Sequence, residues 1–224
     1  MAGARTLSNR RSSMRVGILG SGLMGGKLGT IFARAGHEVV FSYARSEQKL
    51  KVLARDAKGK ARAGTPREAA QEADAVLLAV HWSRIEDVLN QTGDLSGKVI
   101  VTCSLPMNDD NTELVVAHTS SGAEELAKMI PKARVVATFN TVPSEVLFGV
   151  YEAKRRASRP SQVYCGDDQR AKISRGADPR RGFQSGGRWT AADRPIHRAV
   201  RAARRPARVR GKRGPGTGLP VRVA

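Results

Sequence analysis

Three glycines, and the residues about twenty positions beyond them, carry the first chemical information in this chain. Gly20, Gly22 and Gly25 stand in Gly20-Ser21-Gly22-Leu23-Met24-Gly25, a G-x-G-x-x-G run. Their spacing suits a diphosphate. Gly20 permits a tight turn, Gly22 lets a phosphate approach the backbone, and Gly25 lets a helix lie close on a strand. The anion would rest on the N–H groups at the start of that helix, where the dipole favours negative charge. Glycine-rich turns also arise for packing alone, so the run takes its meaning from its flanks. Downstream, Ser42-Tyr43-Ala44-Arg45-Ser46 occupies the place where an acid would bind a ribose 2′-hydroxyl, and it contains no Asp or Glu. The Ser42 hydroxyl and the Arg45 guanidinium, with Lys49 a turn later, suit a 2′-phosphate that an acid would repel. The expectation is a site for NADP(H) rather than NAD(H). Its alternative leaves Arg45 as an ordinary solvated loop residue.

The elements that would hold these residues follow from periodicity. Met14 to Leu19 is apolar enough for a buried strand, and Leu23, Leu28, Ile31, Phe32 and Ala35 recur at helical spacing with Gly36 closing the helix. His37 to Ser42 reads as a second strand and Ser46 to Ala57 as a helix capped by Ser46. Lys60 to Ala63 is a short third strand, and Thr65-Pro66 with Glu68 opens another helix. Asp74 to Val80 is apolar on both faces, and Ser83 is the expected cap of the helix after it. Lys98 to Cys103 and Arg134 to Phe139 are further strands, with a helix from Gly122 to Ile130 between them and a short last strand at Val163-Tyr164-Cys165. This alternation predicts an α/β fold, a Rossmann-like doubly wound parallel sheet with helices on both faces.

In such a sheet ligands bind beyond the C-terminal ends of the strands. The residues there are Val80, His81 and Trp82 after the fourth strand, Ser104, Leu105 and Pro106 after the fifth, and Asn140, Thr141, Val142 and Pro143 after the sixth. His81 is a candidate acid or base, or a hydrogen-bonded structural residue. Trp82 is a candidate lid, or a packing residue. Asn140 and Thr141 could face a nicotinamide or cap their loop. Cys103 reads as a small buried hydrophobe. No metal-ligand spacing, nucleophile elbow or carboxylate pair is present. Hydride transfer between two cofactors needs positioning more than a protein acid, and the chain is compatible with it.

At 224 residues the chain has room for one domain and additional segments. Its net charge of +19 would ordinarily suggest an anionic partner such as nucleic acid, but the charge is uneven. Residues 173–224 hold 14 Lys and Arg against Asp178 and Asp193, and so supply +12 of it. Two cysteines make no disulfide framework and fit a reducing compartment. The polar, basic start lacks the apolar stretch of a signal peptide, and no run is long enough to span a membrane. These features point to a cytoplasmic protein with a small-molecule partner and no membrane contact.

The runs GILGSGLMGGKLGTIFARAGHEVVFSYARS, ADAVLLAVHW, GAEELAKMIPKARVVATFNTVPSEVL and VYCGDD resemble NADPH-dependent reductases of the deazaflavin coenzyme F-420, over residues 14–172. The resemblance implies hydride transfer between NADP(H) and F-420. It implies that Ser21, Gly22, Leu23 and Met24 line the pyrophosphate, and that Ser42 and Arg45 hold the 2′-phosphate. His81-Trp82 stands where the family usually has Pro-Trp, and Cys103-Ser104-Leu105-Pro106 replaces a Thr-Asn-Pro type of turn.

Three regions are therefore expected: a disordered leader over residues 1–13, a dinucleotide-binding domain over 14–172, and a basic, low-order tail over 173–224. The tail is rich in Arg, Gly, Pro and Ala and has too little apolar surface to fold alone. On charge alone it would be a nucleic-acid tail. Read one nucleotide later, degenerate codons for it permit a strand-like NPVDAG and an amphipathic helix, which is similar to the family's own continuation. The expectation is a frameshift near Lys172–Ile173, with a homodimer if the C-terminus were intact. An inactive nucleotide-binding remnant and a basic nucleic-acid-associated protein are the competing functions.

Overall fold

The computed structural model describes residues 13–153 and 162–166. The expectations for the leader, for a frameshift and for the tail fall outside these described residues. In chain order the elements are β1 (Arg15–Leu19), α1 (Leu23–Arg34), β2 (Glu38–Ser42), α2 (Glu47–Ala57), β3 (Lys60–Ala63), α3 (Pro66–Gln71), β4 (Ala75–Leu78), α4 (Ile85–Thr92), β5 (Val99–Thr102), α5 (Gly122–Met129), β6 (Arg134–Thr138), α6 (Val146–Glu152) and β7 (Tyr164–Gly166). A 3₁₀ turn, Trp82–Arg84, leads into α4.

The strands form one sheet in the order β3-β2-β1-β4-β5-β6-β7. The first six are parallel, as the alternation of strand and helix predicts. The seventh, a short edge strand, runs the other way. Thr138 pairs with Tyr164, so β7 starts at the edge where β6 ends and runs back antiparallel, with no crossover needed. The strand order reverses between β1 and β4, and the crevice beyond their C-terminal ends is the place for a ligand.

Each face of the sheet has its own core. Val16, Ile18, Phe41, Leu77 and Val101 point to one side and are covered by Leu28, Ile31 and Phe32 of α1, Leu50 of α2 and Leu147 of α6. Leu19, Val76, Leu78 and Ile100 point to the other, against Ala69 of α3, Ile85 and Val88 of α4, and Leu126 of α5. The helices start where their polar caps stand. Ser46 Oγ accepts the Lys49 N–H, and Thr65 with Glu68 and Ser121 with Glu124 form reciprocal capping boxes. The expected cap at Ser83 is instead His81, whose Nδ1 accepts the Ser83 N–H ahead of the 3₁₀ turn. Gly17, in the middle of β1, is where α3 comes closest: a Cβ there would lie 1.9 Å from the Ala69 carbonyl oxygen. At the opposite end of β1, His37 is fully buried, its Nδ1 accepting the Met14 N–H at 3.1 Å and its ring edge-on to Phe32.

Candidate dinucleotide-binding site

The turn after β1 is shaped from beneath by its own backbone. The Gly20 and Ser21 N–H groups donate to the Ser42 and Tyr43 carbonyls, each at 3.2 Å, which carries the β1–β2 pairing past the end of the strands. Gly20 has φ +99, and a Cβ there would meet the Ala79 carbonyl oxygen at 2.5 Å. A Cβ on Gly25 would lie 1.9 Å from the Gly20 carbonyl oxygen, so this glycine lets α1 start against the turn. Gly22 differs. It precedes α1 at an ordinary φ of −80, and a Cβ there would meet nothing within 4 Å.

Open space therefore lies directly in front of the α1 N-terminus. The first bond of the helix runs from the Gly26 N–H to the Gly22 carbonyl, and the N–H groups ahead of it have no acceptor one turn back. A diphosphate fits this cradle. The open side of Gly22 gives it room, and the leading N–H groups supply donors along the helix dipole. Leu23, 71% exposed, stands beside the same opening, while Met24 is half-buried on the α1 side of the core.

Two hydroxyls beside the turn are spent within the fold. Ser42 is completely buried and its Oγ donates to the Ile18 carbonyl at 2.7 Å. Ser21 is 1% exposed, and its Oγ donates to the Ser42 carbonyl at 2.9 Å. The expected role of the Ser42 hydroxyl on a 2′-phosphate is corrected accordingly, while the Ser21 hydroxyl is engaged within the turn. These hydroxyls bind the turn to β2, because a serine at the end of a central strand meets the neighbouring backbone before it meets solvent.

Cations surround the end of β2. Arg45 is exposed just beyond it, Lys49 lies in the first turn of α2, and Arg84 precedes α4. None of the three makes an ion pair among the described residues. Arg84 was not singled out by spacing, since nothing in a linear reading brings residue 84 towards residue 45. Tyr43, between Ser42 and Arg45, adopts a left-handed φ of +55 and donates its phenol to Asp87 Oδ2 on α4. Burial, then the bond to Asp87, pushes the Tyr43 phenol up to about 12, while the nearby Arg84 charge acts the other way.

Val80, Ser104 and Asn140 form a continuous ledge from the glycine turn towards β6. A Cβ on Gly20 would touch Val80 Cγ1 at 2.6 Å. The Val80 carbonyl accepts Ser104 Oγ at 2.7 Å, and the Ser104 carbonyl accepts Asn140 Nδ2 at 3.0 Å. These bonds stitch the ends of β4, β5 and β6 together.

His81 lies beside the ledge and is tied down at both nitrogens. Nδ1 accepts the Ser83 N–H, so the neutral ring carries its proton on Nε2, which faces Asn111 Oδ1 at 3.2 Å. Of the two readings for His81, the structural one describes this arrangement. Asn111 belongs to the long connection between β5 and α5, where Asn108 Oδ1 accepts the Thr112 and Glu113 N–H groups and Met107 bridges to Leu114. The Trp82 ring packs at the start of α5 beside Pro106 and Gly122. Cys103, just past β5, is largely enclosed, and burial pushes its thiol up to about 12. In the folded protein Cys103 should therefore resist iodoacetamide at neutral pH and react once denatured, as mass spectrometry of its peptide would show. Alkylation at the same rate in both states would contradict that burial.

Order of strands, glycine turn and open helix N-terminus are those of the dinucleotide-binding domains of NAD(P)-dependent oxidoreductases. Residues 15–106 match the family described as NADP oxidoreductase, coenzyme F420-dependent, which is the resemblance legible in the sequence. Among solved structures, the chain is similar to a protein of Arthrobacter sp. FB24 provisionally described as an F420-dependent NADP-reductase. The two are 22% identical with a TM-score of 0.60, over 73% of this chain and 78% of that one. A hypothetical protein from Sinorhizobium meliloti is 24% identical with a TM-score of 0.62, over 74% and 79% of the two chains. Both likenesses establish the fold. The chain is also 27% identical to the metalloreductase STEAP3 of Rattus norvegicus over 162 residues, 72% of this chain but only 31% of that relative. No helix among the described residues is long and apolar enough to cross a membrane.

Proposed function

We propose that this chain binds NADPH along the C-terminal edge of its sheet and serves hydride transfer to a second redox cofactor, with the deazaflavin F-420 as the acceptor. The observation that carries this reading is the pairing of an open phosphate cradle at Gly22 with three cations, Arg45, Lys49 and Arg84, that make no ion pair among the described residues. The missing acid after β2 supports NADPH over NADH, since a carboxylate there would accept the ribose hydroxyls and repel a phosphate. The bound nicotinamide supplies the hydride. The protein's own part is to grip the diphosphate at Gly22, Leu23 and Met24, to hold the 2′-phosphate with Arg45, and to seat the nicotinamide end on the ledge of Val80, Ser104 and Asn140, beside His81. The name of the matched family supports F-420 as the acceptor. A chain with two cysteines and no disulfide framework in its sequence supports a reducing compartment, the cytoplasm.

Titration of NADPH and NADH into the protein tests the cofactor, and NADPH oxidation with added F-420 tests the acceptor. Equal affinities would remove the NADPH assignment. NADPH binding without F-420 reduction would leave a binding domain and remove the reductase reading. Arg45→Ala should weaken NADPH by about 1.5 kcal/mol, close to tenfold, and leave NADH unchanged. An equal loss for both nucleotides would place Arg45 elsewhere than on the 2′-phosphate.

A further inference from the structure

An acid from another part of the chain, Asp87, is bonded to the residue that follows β2. Strands β2 and β4 flank β1 in the sheet, Tyr43 directly follows β2, and Asp87 sits on the helix that follows β4. The bond from the Tyr43 phenol to Asp87 Oδ2 therefore links the two sides of the β1 end, beside the glycine turn. It brings a carboxylate from 44 residues further along the chain to within one phenol of the place where a ribose-binding acid stands in NAD-specific sites.

Tyr43 is held for this contact. Its carbonyl accepts the Ser21 N–H, which fixes the backbone in the left-handed region, and its ring packs against the core shared by α3, α4 and α5. Asp87 is gripped a second time by Gln91, whose Nε2 donates to Asp87 Oδ1 at 3.3 Å and to the Asp87 carbonyl at 3.2 Å. Both carboxylate oxygens are thus engaged by donors of this chain, and Arg84 is the neighbouring charge of opposite sign.

We infer that Tyr43 is a specificity-determining positioning residue: its phenol tethers Asp87 so that this carboxylate neither accepts ribose hydroxyls nor opposes a 2′-phosphate, leaving the site to Arg45, Lys49 and Arg84. The inference rests on the NADPH reading and adds to it a negative charge that must be kept occupied. Released from the phenol, Asp87 would act as the missing acid. Coulomb repulsion would then fall on the phosphate of NADPH, and no such charge is present in NADH.

Dissociation constants for both nucleotides in the unaltered protein, Tyr43→Phe and Tyr43→Phe/Asp87→Asn test this without any turnover. Tyr43→Phe should weaken NADPH about tenfold while NADH holds or improves, so the ratio of the two constants moves toward NADH. Adding Asp87→Asn should restore the NADPH preference, since the amide keeps the shape and loses the charge. A parallel loss for both nucleotides in Tyr43→Phe would make the tyrosine a plain wall of the site and overturn the inference. So would failure of Asp87→Asn to restore the ratio. The ratio in the unaltered protein tests the NADPH reading, and its change on substitution tests the tether, so the two fail separately. Circular dichroism on each variant identifies loss of fold, and a misfolded Tyr43→Phe would be replaced by Asp87→Asn alone, which should leave the NADPH affinity unchanged; a change confined to NADPH would overturn the inference.

Discussion

Gly22→Val should abolish dinucleotide binding in a domain that stays folded. The backbone at Gly22 has φ −80, which an L-residue adopts without strain, and a Cβ there enters empty space. That same space is what a diphosphate needs in order to reach the leading N–H groups of α1. A branched side chain would fill it and separate the anion from at least two charge-assisted bonds. At roughly 1.5–3 kcal/mol each, the loss in affinity should exceed about a hundredfold. Titration of NADPH into the variant, with circular dichroism to verify the fold, makes the measurement. Binding at the affinity of the unaltered protein would mean that the turn serves packing alone.

Gly17→Val should do the reverse and unfold the domain. Its Cβ would fall 1.9 Å from the Ala69 carbonyl oxygen and 2.7 Å from the carbonyl carbon. Both atoms are backbone of α3, so no rotamer change relieves the clash. The helix would have to lift from β1, and Ala69 and Ala70, both essentially buried, would lose their packing. Overpacking of this kind should cost roughly 3 kcal/mol or more, a large share of the ~5–15 kcal/mol that stabilises a typical domain. Denaturant midpoints of the two proteins would show it. A midpoint unchanged on Gly17→Val would mean that α3 is not held against β1.

How much of this was legible in advance depended on whether the signal was local. Most of the parallel strands announced themselves through short apolar runs, and α2, α3 and α5 through caps such as Thr65 with Glu68. The direction of β7 carried no signal, since three residues read the same in either orientation. Helix α6 was missed because it is short and opens on Glu145, which gives it no side-chain cap. The glycine turn and the division of labour among its glycines were readable from spacing, and the fold adds the atoms: backbone stands where a Cβ on Gly20 or Gly25 would go, and open space lies at Gly22. The fate of the Ser42 hydroxyl was not readable, since it answers to a carbonyl on the adjacent strand. Tyr43 and Asp87 are too distant in sequence for any motif to join them, and nothing in the run around Gly17 announces the helix that lies on it.

The central place of β1 in the sheet also bears on how the chain is made. Β-strand β1 leaves the ribosome first but pairs on both sides, with β2 soon after and with β4 only when Ala75 arrives to meet Val16, about sixty residues later. At synthesis rates of roughly 5–20 residues per second, its second edge waits several seconds for a partner. During that interval an apolar strand with unpaired N–H and C=O groups is open to other nascent chains, and chaperone dependence should peak there. The glycine turn at its end takes its hydrogen bonds from the end of β2, whereas the wall that Ala79 and Val80 give it arrives only with the fourth strand.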